Sequence, residues 1–165
     1  MPDDLEIHPE RLSERPQVFE GTADLDDLPG LADLVADDRV ELHYKVTARL
    51  DKQRRKVVSC IIEGFVFLTC QSSLEAFRHP VSLNDVLVLV DRESELPPVD
   101  EESDAEDYMV ADGPIDVLDL VEESVLLALP MVPRKPGLEA AAEKPAAAPG
   151  ESPFAALAGL RKKPD

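Results

Sequence analysis

One stretch limits what this chain can become more than any other. The run from Gly113 to Pro130 reads as a helix with both ends marked. Asp116 is a good N-cap, because its carboxylate can accept an orphan backbone N–H of the first turn. Asp119, Glu122 and Glu123 put negative charge in the N-terminal half, near the positive end of the helix dipole. Pro130 cannot continue the hydrogen-bond ladder and stops it. Leu118, Val121, Val125 and Ala128 share one face, and Leu120, Leu127 and Leu129 widen it. So broad an apolar surface on so short a helix must be buried against something large. The only other apolar mass is a set of β-like runs between residues 39 and 90. A helix lying on a sheet follows.

The sheet is legible from alternation. Between Arg39 and Leu50, Val40, Leu42, Tyr44, Val46, Ala48 and Leu50 alternate with Glu41, His43, Lys45, Thr47 and Arg49, the pattern of a half-buried strand. Asp51 to Lys56 is a polar, cationic turn. Val57 to Cys70 returns as a long strand, apolar on both faces in places, which predicts a central strand covered on both sides; Gly64 marks a bulge or a close approach. Gln71 to Leu74 makes a turn. Phe77 to Val90 supplies a third strand, with Pro80 near its start, where an edge or bulge tolerates it. Leu5 and Ile7 predict a short strand broken by His8-Pro9, and Val18 to Gly21 another. Asp24 to Leu28 suits one helical turn ended by Pro29-Gly30, and Tyr108 to Val110 suits an edge strand. The expectation is an α+β domain: an antiparallel meander, able to curl toward a barrel, covered by one amphipathic helix.

Charge sets the partner class. The 165 residues hold 35 acids against 17 lysines and arginines, a formal charge of −18. Phosphates are repelled by such a surface, which argues against non-specific nucleic-acid binding and favours basic protein partners, ribosomal proteins among them, or simple solubility. Residues 1–38 carry twelve acids and two arginines, and residues 91–107 carry nine acids, one arginine and Pro97-Pro98. The second run holds nothing that could form a core and is read as a mobile acidic loop. The organisation expected is one domain over 1–133, with core strands at 39–90, the acidic loop at 91–107 and the helix at 116–129. A flexible linker over 134–150, rich in Ala, Pro, Glu and Lys, leads to a terminal helix over 151–165. Ser152 caps that helix, Pro153 opens it, and Phe154, Leu157 and Leu160 line one side ahead of Arg161, Lys162 and Lys163. A tethered helix of this kind docks on a partner or back on its own domain. No signal peptide and no run of about 20 apolar residues is present, and two cysteines without a secretory signal point to a reducing cytoplasm and no membrane.

Reactive chemistry is sparse. The chain has no Gly-rich phosphate loop, no Cys-x-x-Cys and no His-x-x-x-His, so no cofactor and no small-molecule ligand is expected. His8, His43 and His79 are scattered and read as surface or turn residues. Cys60 and Cys70, ten residues apart on one strand, would stand about 33 Å apart, too far for a disulfide or a shared metal ion. The one concentrated positive patch runs from Lys45 and Arg49 through Lys52, Arg54, Arg55 and Lys56. It suits either an RNA phosphate contact or a solubilising hairpin tip paired with the acidic segments; no aromatics interleave to stack bases.

Three segments together resemble a known family. Cys70-Gln71-Ser72-Ser73-Leu74-Glu75-Ala76-Phe77, with the valine-rich strand before it, is similar to the Cys-x-x-Cys, x-x-x-Phe element of the YceD family, the large ribosomal RNA subunit accumulation proteins. Ile115 to Pro133 resembles that family's Ile-Asp-Leu, acidic, Leu-x-Leu-Pro-x-x-Pro signature, and Pro153 to Lys163 its Pro-Phe-x-x-Leu-x-x-Leu-Lys end. Order and spacing agree over about residues 40–165. Ser73 stands where many members have the second cysteine, and serine is not a useful zinc ligand, so the resemblance carries no metal site onto Cys70. It implies a bacterial, cytoplasmic, non-enzymatic role in the accumulation of 23S ribosomal RNA and biogenesis of the large subunit. Large-subunit ribosomal proteins or pre-ribosomal particles are the implied partners. Phe154, Leu157, Leu160, Arg161, Lys162 and Lys163 are the candidate partner contacts. Direct 23S RNA contact through Lys52, Arg54, Arg55 and Lys56 is the alternative, and an enzyme the third class.

Overall fold

Alternation of apolar and polar side chains becomes a layered structure. The computed structural model describes residues 5–101 and 105–137. Among them the strands are β1 (Glu6–Ile7), β2 (Gln17–Ala23), β3 (Glu41–Leu50), β4 (Lys56–Thr69), β5 (Ala76–Val90), β6 (Asp107–Val110) and β7 (Ile115–Asp116), and the helix α1 spans Val117–Ala128. The chain divides into two units, residues 1–133 and 134–165, and every one of these elements belongs to the first.

Five strands form one sheet in the order β2-β3-β4-β5-β6, and β1 pairs with β7 in a separate two-stranded ribbon. Consecutive pairs from β2 to β5 are antiparallel, with Val46 opposite Cys60 and Ile62 opposite Leu83. β6 departs from the expected meander, since it runs parallel to β5. A parallel neighbour needs a connection of a dozen or more residues, and the acidic segment between Val90 and Asp107 is that long. This segment carries short 3-10 turns at Glu93–Glu95 and Val99–Glu101, and neither buries a residue. The sheet does not close into a barrel: among the described residues β2 and β6 end the order, each with one neighbour. The apolar face that closure would enclose is already occupied by α1.

The core lies between that face and the helix. β4 sends Val58, Cys60, Ile62, Val66 and Leu68 inward, and β3 sends Leu42, Tyr44, Val46 and Ala48. From α1 come Val117, Leu120, Val121 and Val125, three of them fully buried; burial of each such side chain stabilises by roughly 1.5–3 kcal/mol. The helix is rolled relative to the expected face. Ser124 is buried, Ala128 is exposed and Leu127 is 81% exposed. Leucines stand on nearly every side of residues 125–129, so periodicity alone could not choose among them. Asp116 caps the helix as expected, its Oδ1 accepting from the Leu118 and Asp119 N–H groups at 2.7 and 3.2 Å.

β4 is central, but only one of its faces is covered. On the outer face Val57, Phe65 and Phe67 are half-buried, and Ile61, Glu63 and Thr69 are exposed. The rings are shielded by cations instead of a second layer: the Arg39 guanidinium lies 3.8 Å from the Phe67 ring centroid and that of Arg78 lies 4.3 Å from Phe65. Near the N-terminus the expected helical turn over Asp24 to Leu28 is a hydrogen-bonded turn, closed by Asp24 Oδ1 accepting from the Asp26 N–H at 2.9 Å. Pro29 does not end it. It opens a 3-10 helix, Pro29–Leu31, because a proline suits a first helical position that has no N–H to satisfy.

Gly64 is the close approach. Its φ is 154°, and a Cβ there would stand 2.0 Å from the Glu41 carbonyl oxygen. Gly64→Ala is expected to destabilise the protein by about 2–4 kcal/mol, read as a lower urea midpoint.

Candidate functional site

The cationic turn is built around one carboxylate. Asp51 accepts from the Gln53 and Arg55 backbone N–H groups at 2.8 and 2.9 Å and from Arg55 Nε at 2.7 Å. Desolvation opposes ionisation of Asp51, but the backbone and side-chain hydrogen bonds from Arg55, with that from Gln53, outweigh it and hold its pKa below the ordinary value. Arg54 adopts a left-handed φ of 66° at the tip. Arg55 then turns its fork on Glu106, with N–O distances of 3.0 and 3.3 Å. Glu106 first, then Asp51, raises the Arg55 pKa further above its ordinary value. Lys56 pairs with Asp91. These two cations therefore fasten both ends of the acidic segment to the sheet. Lys52 and Arg54 stay exposed, with no carboxylate within ion-pair distance among the described residues. Lys45 faces Glu20 across the β2–β3 register at 3.8 Å. The structure thus splits the four candidate RNA-contact residues into two engaged and two outward-facing.

A second feature was not legible in the sequence. The end of α1, the strip Pro130–Pro133, the segment 33–35 and the end of β4 surround a groove of about 490 Å³. Its lining is mainly apolar, with Leu34, Val35, Leu126, Leu129 and Met131 beside Asp33. Leu34 is 52% exposed and Met131 is 98% exposed. Both walls are fixed. Glu122 Oε2 accepts the Gly30 N–H at 2.8 Å, tying Pro29–Leu31 to α1, and the Gln71 N–H donates to the Pro133 carbonyl at 2.9 Å. The Leu-Pro-x-x-Pro signal marked the strip, but nothing in the periodicity marked Leu34. The candidate partner contacts Phe154, Leu157, Leu160, Arg161, Lys162 and Lys163 lie outside the described residues.

The reactive side chains stand apart. Cys60 and Cys70 are both buried and not disulfide-bonded. Burial pushes the Cys60 thiol up to about 11; a hydrogen bond with Ser124 acts the other way, and the nearby Asp85 adds to the rise. Asp85 is itself raised, by burial and then by Asp107. Cys70 directly follows β4, and the Leu74 N–H donates to its carbonyl at 2.8 Å. Ser73 is exposed in the turn that follows. His79 is half-buried on β5, edge-on to Phe77, and burial holds its pKa below the ordinary imidazole value. His43 is exposed on β3, 3.0 Å from Thr22 Oγ1 and 3.2 Å from Glu41. Two smaller hollows of about 260 and 280 Å³ meet at residues 111–113. Neither Cys70 nor His79 lines them or the groove. Among the described residues no three His, Cys, Asp or Glu side chains gather as a metal site, and no helix is long and apolar enough to cross a membrane.

A family model, that of the large ribosomal RNA subunit accumulation protein YceD, matches residues 58–161, more than half of the chain. The chain belongs to the YceD family. The YceD match begins inside β4, runs through the Cys70–Ser73 turn and α1, and takes in the Pro-x-x-Pro strip that walls the groove. Both the fastened acidic segment and the strip are therefore parts of the YceD region; the N-terminal wall of the groove, with Leu34, lies before it. No solved structure matches the chain.

Two outcomes test this geometry. Lys52→Glu with Arg54→Asn should leave the melting temperature unchanged, since neither side chain has an ion-pair partner and Asn tolerates positive φ. Arg55→Glu should lower it by several degrees, because Asp51 and Glu106 then face a like charge. Both cysteines should resist a thiol reagent at pH 8 in the folded protein and react fully in guanidinium, because burial leaves little Cys60 thiolate and no access.

Proposed function

We propose that this protein is a non-enzymatic factor in 23S ribosomal RNA accumulation and large-subunit biogenesis. It acts through its acidic surface on basic ribosomal proteins or assembly intermediates. Membership of the YceD family carries the first half of this reading, and the charge of −18 carries the second. A surface of this sign attracts basic chains, speeds their encounter and repels bare phosphate. The way the cations are used supports it. Arg39 pairs with Asp37, Lys45 with Glu20, Arg55 with Asp51 and Glu106, and Lys56 with Asp91. Cations consumed in this way do not neutralise a phosphate backbone, and the two outward-facing residues of the turn make a small footprint for RNA.

Binding of the purified full chain should be measured to large-subunit ribosomal proteins and to 23S RNA fragments, at about 0.05 M and about 0.3 M salt. The expected result is association with one or more basic ribosomal proteins, at least about tenfold weaker at the higher salt, with no tight binding to naked RNA. Tight RNA binding, lost on Lys52→Glu with Arg54→Asn, together with no protein binding, would replace this reading with direct RNA recognition.

A further inference from the structure

We propose that the groove between residues 33–35, the end of α1 and the Pro130–Pro133 strip receives the apolar face of a basic amphipathic segment of a partner protein. The proposal rests on the reading of the protein as an acidic factor, and names where on its surface a partner is gripped.

Three observations support it. The first is apolar exposure in one place. Leu34, Met131 and Val132 are 52%, 98% and 57% exposed, and two of them line the same hollow as the half-buried Val35, Leu126 and Leu129. A contiguous apolar surface on a chain this rich in charge marks an interaction site better than a core that failed to close. The second is rigidity. The Gly30–Glu122 bond, the Gln71–Pro133 bond and the 2.6 Å bond from the Ala36 N–H to the Phe67 carbonyl hold the walls apart from three different elements. A preformed groove avoids part of the ordering cost of binding.

The third is charge, and it selects the occupant. Residues 24–38 contain six acids (Asp24, Asp26, Asp27, Asp33, Asp37, Asp38), residues 116–133 contain four (Asp116, Asp119, Glu122, Glu123), and residues 65–75 contain Glu75. None of these three segments, which together build the groove, contains a single Lys, Arg or His. Asp33 is the one charged residue that lines the groove itself, and the neighbouring Arg39, which lies over Phe67, is paired with Asp37. An RNA strand would bring phosphates to a face with a surplus of acid, and a second copy of the chain would bring another charge of −18. A helix with leucines on one side and lysines or arginines on the other meets both demands. Its apolar side fills the hollow and its charged flanks reach the rim.

The probe is a synthetic peptide of leucine and lysine, with leucines at positions i, i+3, i+4 and i+7, beside a scrambled peptide of the same composition. Each is titrated into the full chain at about 0.3 M salt, where non-specific attraction is weak. The patterned peptide should bind at least about tenfold tighter than the scrambled one. Leu34→Ser with Met131→Ser should erase that difference. Both side chains are largely exposed, so the fold should survive, which circular dichroism checks. Val99→Ser, at an 83% exposed position in the acidic segment, should change nothing. Equal binding of the two peptides, or an unchanged preference in the double variant, overturns the proposal. So does a dimer that the double variant dissolves, which would give the face to a second copy. A peptide-insensitive groove whose amide resonances move on Phe154→Ala with Leu157→Ala would give it to the chain's own tail, and also overturns it. Ribosomal-protein binding that the double variant keeps in full removes the groove but leaves the acidic-factor reading. Groove binding of the patterned peptide with no ribosomal-protein binding does the reverse.

Discussion

The rest of the structure depends on one contact: the row of small and branched side chains on β4 packed against α1. Val58, Cys60, Ile62 and Val66 are fully buried on the strand, as are Val117, Val121 and Val125 on the helix. Aromatics make up only 4% of the chain and tryptophan is absent, so close packing of aliphatic surface has to supply most of the burial. Ser124 and Cys60 meet in the same layer as a thiol–hydroxyl pair, which satisfies the one polar side chain buried there. Everything outside the layer is placed by it. β1 and β7 tether the start of the helix through the bond from the Val117 N–H to the Leu5 carbonyl at 2.8 Å, and Pro29–Leu31 leans on its side with Leu31 fully buried.

Around that layer the surplus of acid is put to structural use. Individual carboxylates cap the helix (Asp116), close a turn (Asp24), organise the β3–β4 tip (Asp51) and latch a 3-10 turn to α1 (Glu122). Each converts a charge that would repel its neighbours into an acceptor for a backbone N–H or a cation. The cations drawn into such pairs are spent internally, and the field that reaches solvent is set by the carboxylates that remain. The structural role of the acids and the negative field of the surface are in this sense one property. A chain that holds its loops with a few of its acids can still present the others to a basic molecule.

The acidic segment between β5 and β6 shows the balance. None of its described residues is buried, yet Arg55 and Lys56 fasten its two ends, and its length permits β6 to lie parallel to β5. Tyr108 and Met109 are thereby brought opposite Val88 and Leu89, which lengthens the sheet by one strand.

Much was determined by the sequence alone. Period two between Arg39 and Leu50 can bury one face only, so β3 had to be a half-covered strand; Asp116 and Pro130 bound the helix because one offers an acceptor and the other lacks a donor. The charge, the three family segments and the inability of Cys60 and Cys70 to pair were likewise there to read. Tertiary structure decided the rest, because each remaining choice lay between residues far apart in the chain. Which leucines of α1 face inward depends on the shape of the sheet, since apolar residues stand on nearly every side of its last turn. The direction of β6 depends on where a loop that buries none of its described residues is fastened. Which cations stay outside depends on carboxylates up to 51 residues distant, as with Arg55 and Glu106. The groove exists only because Leu34 and Met131, nearly a hundred positions apart, are carried to the same end of one packed layer, a coincidence in space that no local pattern records.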